Sequence, residues 1–485
     1  MPIDLNKPVS WKDASKKALL ENLQGNILKG HGRDNATLLF IRFKTGAAAA
    51  ARAFLQETAT THVGNALEEL REAEDFKKSG TPGATHVSIA LSASCYAFLG
   101  LLDARTPSDA AFRASLRQRK DILKDPPVSR WEKGLRQEIH ALVLIADDLK
   151  ACVDDVRSRI EESLAAQAAG KVVAREDGQV MRNKTHDGIE HFGYVDGRSQ
   201  PLMLVEDINN EKGGIDKWDP TFGIGTALVP DPADPSGNGF GSYLVFRKLE
   251  QNVRGFKASE QKLAAKLGLV GEDAELAGAL VIGRFEDGTP VVLQKTDGMG
   301  GTPPNRDVPN NFGFNGDKQG MKCPFAGHIR KTNPRGDTVA LGAALQDERG
   351  HLMPRRGIPF GTRATHPNDP VLEDNPKLNP TKGVGLLFMA FNADISRQFE
   401  FTQQSWVNSS AFAGNTGIDG VIANGKNPPG MQKWPKVWGQ SASGPMVSFD
   451  FSGFVTMKGG EYFFAPSLTF LRTLGRARAA RKKKR

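Results

Sequence analysis

Cysteine is scarce in this chain. Its three residues, Cys95, Cys152 and Cys323, are an odd number at long, irregular intervals, which excludes a disulfide framework and a Cys-x-x-Cys metal site. Cys95 and Cys152 fall in apolar helical patterns and are expected as buried thiols. No run of about eighteen apolar residues occurs, so no membrane span is predicted. The opening Met-Pro-Ile-Asp-Leu-Asn-Lys has neither the charged-then-apolar order of a secretory leader nor a twin-arginine pair, and the expected location is the cytoplasm. Disorder is excluded too, because 39% hydrophobic and 25% charged residues make an ordinary globule.

At 485 residues the chain can bury a large core. Its net charge of +9 suggests a polyanion partner, but seven Arg or Lys lie in the last ten residues, Arg476 to Arg485. Such a terminal run reads as a solvated tail, and nucleic-acid binding through it is the weaker expectation.

Strand and helix signals alternate along the chain. Leu38–Phe43, His86–Leu91 and Ile139–Ile145 read as strands. An Ala-rich helical pattern runs through Leu70, and helices are expected over Ala93–Leu102 and from Asp147 to about Ala168. The second half repeats this logic. Ser242–Arg247 is a strand followed by a helix ending near Leu267, and Val384–Phe391 is a strand leading through Asn392-Ala-Asp394 into a helix to Trp406. The expected fold is α+β, two similar halves that are each an antiparallel sheet with helices on one face. The divisions are an N-terminal extension (1–35), a first half (36–212), a second half (213–475) and the basic tail (476–485). Stretches rich in Gly and Pro at 213–241 and 296–309, with 366–381, read as long surface loops.

Three segments place reactive side chains beside Gly or Pro: His191-Phe-Gly-Tyr-Val-Asp196-Gly197, Cys323-Pro-Phe-Ala-Gly-His328-Ile-Arg330-Lys331-Thr-Asn-Pro-Arg335, and Arg355-Arg-Gly-Ile-Pro-Phe-Gly361. Taken singly they are a tight turn, a basic surface loop and a surface ion pair. Together they supply a carboxylate, an imidazole and a guanidinium, an inventory suited to a haem site that handles peroxide. One imidazole is the usual axial ligand where haem iron reacts with peroxide. Arg330, Lys331 and Arg335 offer cations for the two propionates. A carboxylate at Asp196 is suited to moving a proton between peroxide oxygens. It does so only while ionised, and a carboxylate's reference pKa of about 3.9 points to activity at acidic pH unless burial raises that value. A guanidinium at Arg355 would stabilise charge on the leaving oxygen. Arg356 is the rival, since strand alternation turns only one of the two inward. Without a Cys-x-x-Cys-His, any haem is held non-covalently.

These segments resemble the dye-decolourising peroxidases, in particular the longer-chain group that includes fungal and related bacterial enzymes. Gly193-Tyr-Val-Asp-Gly197 is similar to that family's Gly-x-x-Asp-Gly motif, and the likeness extends from Asn22-Leu-Gln-Gly-Asn-Ile-Leu-Lys-Gly to Gly459-Gly-Glu-Tyr-Phe-Phe-Ala-Pro466. The resemblance implies two ferredoxin-like halves forming one unit, with haem b in the second. It implies Asp196 as distal acid–base, His328 as proximal iron ligand, Arg355 as distal arginine and His191 near a propionate. It also implies an acidic partner for His328, for which Asp419 in Gly417-Ile-Asp-Gly-Val-Ile is the candidate, and Gly385–Phe391 as a distal wall. Between His328 and Arg355, Gln346–Leu352 looks like inserted loop, which leaves the arginine register open. The implied activity is reduction of hydrogen peroxide and oxidation of dyes, phenolics and other aromatic donors, through iron raised two oxidising equivalents above ferric.

Because a bulky dye need not reach buried haem, Tyr194, Trp434 and Trp438 are candidate radical sites among the four Tyr and six Trp, the two tryptophans lying in a Pro-rich stretch expected to be exposed. An oligomer is compatible with all of this. The rival readings are a haem-handling protein with incidental peroxidase activity and a basic nucleic-acid-associated protein.

Overall fold

The structure, a computed structural model, describes residues 3–211, 213–301, 307–440 and 444–475. The basic tail at 476–485 therefore lies outside the described residues.

Eight strands carry the architecture. The first four are β1 (Asn35–Phe43), β2 (His86–Ser92), β3 (Ala141–Asp147) and β4 (Gly170–Gln179). Their lateral order is β4-β1-β3-β2, antiparallel throughout. The next four are β5 (Phe240–Gln251), β6 (Ile358–Phe360), β7 (Gly385–Asn392) and β8 (Val455–Ala465). They lie in the equivalent order β6-β7-β5-β8. The two halves then join at both edges: Gly178 of β4 faces Phe360 of β6, and Phe463 and Phe464 of β8 face Ser92 and Leu91 of β2. The ring of strands is closed, which removes the open edges that two separate sheets would leave.

Alternation along each strand sorts side chains to two faces. Leu38 and Phe40 of β1, Leu142 and Leu144 of β3, Leu244 and Phe246 of β5, and Phe463 of β8 form one buried cluster. The Phe40 and Phe246 rings stand 4.7 Å apart at its centre, where trimming either ring to Ala costs about 3–5 kcal/mol. The neighbouring residues Leu39, Ile41, Val143 and Ile145 belong to a second cluster under the helices α1 (Ala48–Thr61) and α3 (Lys150–Ala166).

Several boundaries differ from the expectation. The Ala-rich pattern is two helices, α1 and α2 (Ala66–Ser79), because Asn65 starts a new one with a capping box to Glu68. The helix after β2 stops at Phe98. Strand β4 goes unpredicted, since its sequence Gly-Lys-Val-Val-Ala-Arg-Glu-Asp-Gly-Gln has few apolar residues. Its pairing with β1 and a buried ion pair from Glu176 to Lys248 of β5 (2.7 Å) hold it in place. Within the N-terminal segment Leu20, Leu23 and Ile27 are buried, and Gln24 bonds the carbonyls of Ile89 and Pro466. Cys95 is buried as expected, while Cys152 is only half-buried.

Candidate active site

Residues of the second half's strands that turn away from Phe246 floor a cavity of about 1680 Å³, its mouth included: Arg247, Leu249 and Gln251 of β5, Leu386 and Phe388 of β7, and Val455 and Met457 of β8. Two consecutive π-helical turns, Ser396–Glu400 and Thr402–Val407, stand where one ordinary helix is expected and wall it with Phe399, Thr402, Gln403 and Val407. Helices α4 (Val253–Leu267) and α5 (Glu275–Ile282) pack beside it, and α5 contributes Ile282.

His328 begins the short helix α6 (His328–Thr332) and lines the cavity. Its Nδ1 lies 2.9 Å from Oδ2 of Asp419, a fully buried carboxylate whose Oδ1 accepts the amides of Val421 and Ile422. Burial alone would raise the Asp419 pKa, but the His328 charge and these hydrogen bonds outweigh it and hold the carboxyl below its ordinary value. Burial likewise works against a charged His328, and Asp419 more than offsets it, raising the imidazole pKa. With Nδ1 so engaged, Nε2 is the nitrogen left for a ligand.

Asp196 ends a hairpin in which Ile189 pairs with Val195 and Asp196 N donates to Gly188 O. The turn is possible because Gly193 has φ of 102°. Asp196 lines the cavity, as does Arg355. The Arg355 guanidinium makes no hydrogen bond among the described residues. Burial lowers its pKa and the Asp196 charge opposes that shift. Gln200 clamps the Arg355 backbone, accepting from its amide at 2.9 Å and donating to its carbonyl at 3.3 Å. That clamp ties the Asp196 segment to the arginine. Arg356 points elsewhere, donating to the carbonyls of Asn26, Ile27 and Arg355. Of the two arginines only Arg355 lines the cavity, and Gln346–Leu352 folds in part as the helical turn Leu345–Arg349.

Asp196, Arg355, His328 and Asp419 are brought together; the other expected cofactor contacts are not. His191 is buried off the cavity, with Nε2 on Phe360 O at 2.8 Å and Nδ1 without a partner among the described residues. Burial pushes its pKa down to about 4. Arg330 is buried between the carboxylates of Asp317 and Asp337. Arg335 donates to the carbonyls of Asn310 and Phe312. Lys331 donates to Ser409 O. These cations brace the polypeptide around α6, whereas Arg198, Ser199 and Arg284 are among the polar residues on the cavity wall. Tyr194 does line the cavity, and its hydroxyl donates to Glu260. A side chain at Gly278 of α5 would collide with that bond. Trp434 is fully buried against expectation, and Trp438 is half-buried; neither lines the cavity.

The family model described as the DyP dimeric alpha+beta barrel domain matches residues 22–182. The "Multifunctional dye peroxidase DyP2" of Amycolatopsis sp. is 45% identical over 495 residues, covering 98% of this chain and 100% of that protein. The chain belongs to the dye-decolourising peroxidase family. The solved structure of DyP2 from Amycolatopsis sp. superposes with a TM-score of 0.90 at 44% identity, covering 97% of this chain and 100% of that one. A DyP-type peroxidase from Anabaena sp. gives a TM-score of 0.88 at 38% identity, covering 97% and 99%. The fungal "Dye-decolorizing peroxidase msp1" of Mycetinis scorodonius is 29% identical over 94% of this chain and 87% of its own.

Dye-decolourising peroxidases are haem enzymes, and the residues present fit haem. Ile282, Ile329, Leu386, Phe388, Val421 and Met457 give the cavity apolar walls. An imidazole with Nδ1 already engaged and a guanidinium without a side-chain partner open onto the same space. Among the described residues no helix is long and apolar enough to cross a membrane.

Proposed function

We propose that this dye-decolourising peroxidase binds haem b without covalent attachment, His328 Nε2 taking the iron and Asp419 fixing the orientation and basicity of the ring. The apolar walls would receive the macrocycle, and Arg198, Ser199 and Arg284, on the same wall, would be the polar groups available to its polar substituents. Bound haem supplies the redox chemistry toward hydrogen peroxide. The protein's part is to manage protons and charge. Asp196 takes a proton from one peroxide oxygen and delivers it to the other, which departs as water. Arg355, without a side-chain partner among the described residues, donates N–H groups to the oxygen that becomes negative as the O–O bond opens.

Reducing equivalents come from dyes, phenolics and other aromatic donors. Tyr194 is the better placed relay: when an electron leaves its ring, the O–H bond breaks and the proton passes to Glu260. Trp434 and Trp438, both off the cavity wall, are secondary candidates.

The observation that carries this reading is the 2.9 Å bond between His328 and Asp419 in a cavity shared with Asp196 and Arg355. Stopped-flow mixing of haem-loaded protein with peroxide tests it. The rate should collapse in Asp196→Asn while haem remains bound, and an unchanged rate would remove Asp196 from its role.

A further inference from the structure

Glu190 is a cavity-wall carboxylate that the proton chemistry above leaves unused. It stands at the start of the hairpin that ends in Asp196, with its side chain inside the turn. There it accepts the amide of Phe192 at 2.7 Å and that of Tyr194 at 3.2 Å, and Gln251 of β5 donates to it from the floor. The Glu190 backbone closes the same turn, its amide donating to Tyr194 O at 3.2 Å and its carbonyl accepting from Gly193 N at 2.9 Å. Two residues beyond Tyr194 the chain reaches Asp196. Four hydrogen bonds from one residue therefore fix the backbone on which the acid–base carboxylate is mounted.

We propose that Glu190 is a positioning residue for Asp196, holding its hairpin in register and setting the charge that Asp196 meets across it. This rests on Asp196 as the proton carrier. Charged hydrogen bonds of this kind are worth more than neutral ones, and removing the acceptor leaves buried amides unsatisfied. The charged groups acting on Glu190 are Asp196 from its own hairpin and Arg363 from the segment after β6, while β5 presents the neutral Gln251. Burial, aided by Asp196, raises the Glu190 pKa to about 7 against the pull of these hydrogen bonds. Its charge therefore changes near neutrality, and Asp196 faces a second anion only above that point.

Two readouts independent of turnover test this. The first is hydrogen–deuterium exchange over residues 188–196, with and without haem. In Glu190→Gln the Phe192 and Tyr194 amides should exchange about tenfold faster or more. The second is fluoride binding to the ferric, haem-loaded protein as a function of pH. The parent should show an ionisation step near 7 that is missing in Glu190→Gln. Glu190→Asp, which keeps the charge but falls short of both amides, should retain the step and lose the protection. If Glu190→Gln fails to fold, retained protection in Glu190→Asp overturns the proposal, as do unchanged exchange and an unchanged fluoride profile in Glu190→Gln. A fluoride profile that responds to Asp196→Asn but not to Glu190→Gln overturns this inference alone. One indifferent to Asp196→Asn overturns the role of Asp196 as well.

Discussion

His328 and Asp419, ninety-one residues apart, meet through a 2.9 Å bond in which the carboxylate is wholly buried and also held by two backbone amides. The pair makes the imidazole a stronger electron donor to anything bound at Nε2.

Asp419→Asn keeps the shape and removes the anion. The iron(III)/iron(II) reduction potential should rise and the peroxide step slow by about 10- to 100-fold, the usual effect of losing such a partner. Spectroelectrochemistry with stopped-flow kinetics checks both, and an unmoved potential would leave Asp419 a packing residue.

Asp196→Asn should bind haem normally and lose about 10²- to 10⁴-fold in the rate of reaction with peroxide, the range expected for a positioned proton carrier. Haem affinity, measured by absorption titration, should stay within a few-fold of the parent.

Arg355 and Arg356 should separate cleanly. Arg355→Leu should slow the peroxide step with little loss of stability, because the guanidinium makes no hydrogen bond among the described residues. Arg356→Leu abandons the carbonyls of Asn26, Ile27 and Arg355. It should cost about 2 kcal/mol or more in denaturant melts and leave the peroxide rate unchanged.

His191 gives a pH prediction whose sign is fixed. Its folded pKa is depressed to about 4 by burial, while the unfolded imidazole titrates near 6.5. Between those values the unfolded chain binds more protons, so this residue's contribution to stability falls as pH drops from about 6.5 to about 4. Relative to the parent, His191→Gln should gain on the order of 2–3 kcal/mol over that interval. Denaturant melts of the haem-free protein at pH 7, 5.5 and 4 check it.

Much of the core was legible in the sequence. Five strands show as β-rich apolar runs, and the internal repeat appears as equal strand orders in the two halves. Strand β4 escaped notice because its stability comes from partners rather than from its own pattern, and β8 because its Lys458, Gly459 and Gly460 interrupt the alternation at a bulge. Asp196, His328 and Arg355 stood out by residue type beside Gly and Pro. Arg330 and Arg335 misled for a physical reason: a cation near a candidate ligand looks like an anion-binding group until its buried carboxylate or carbonyl partners are known, and those lie on distant segments. Glu190 and Arg284 carried no motif; only the closed fold shows them on the cavity wall.

The most direct test is an absorption titration of the purified protein and its His328→Ala variant with ferric haem. The parent should take up one equivalent with a sharp Soret band of a histidine-ligated haem, and His328→Ala should lose that spectrum or bind far more weakly. A parent that takes up no haem, or a variant whose spectrum and stoichiometry match the parent's, would contradict the account.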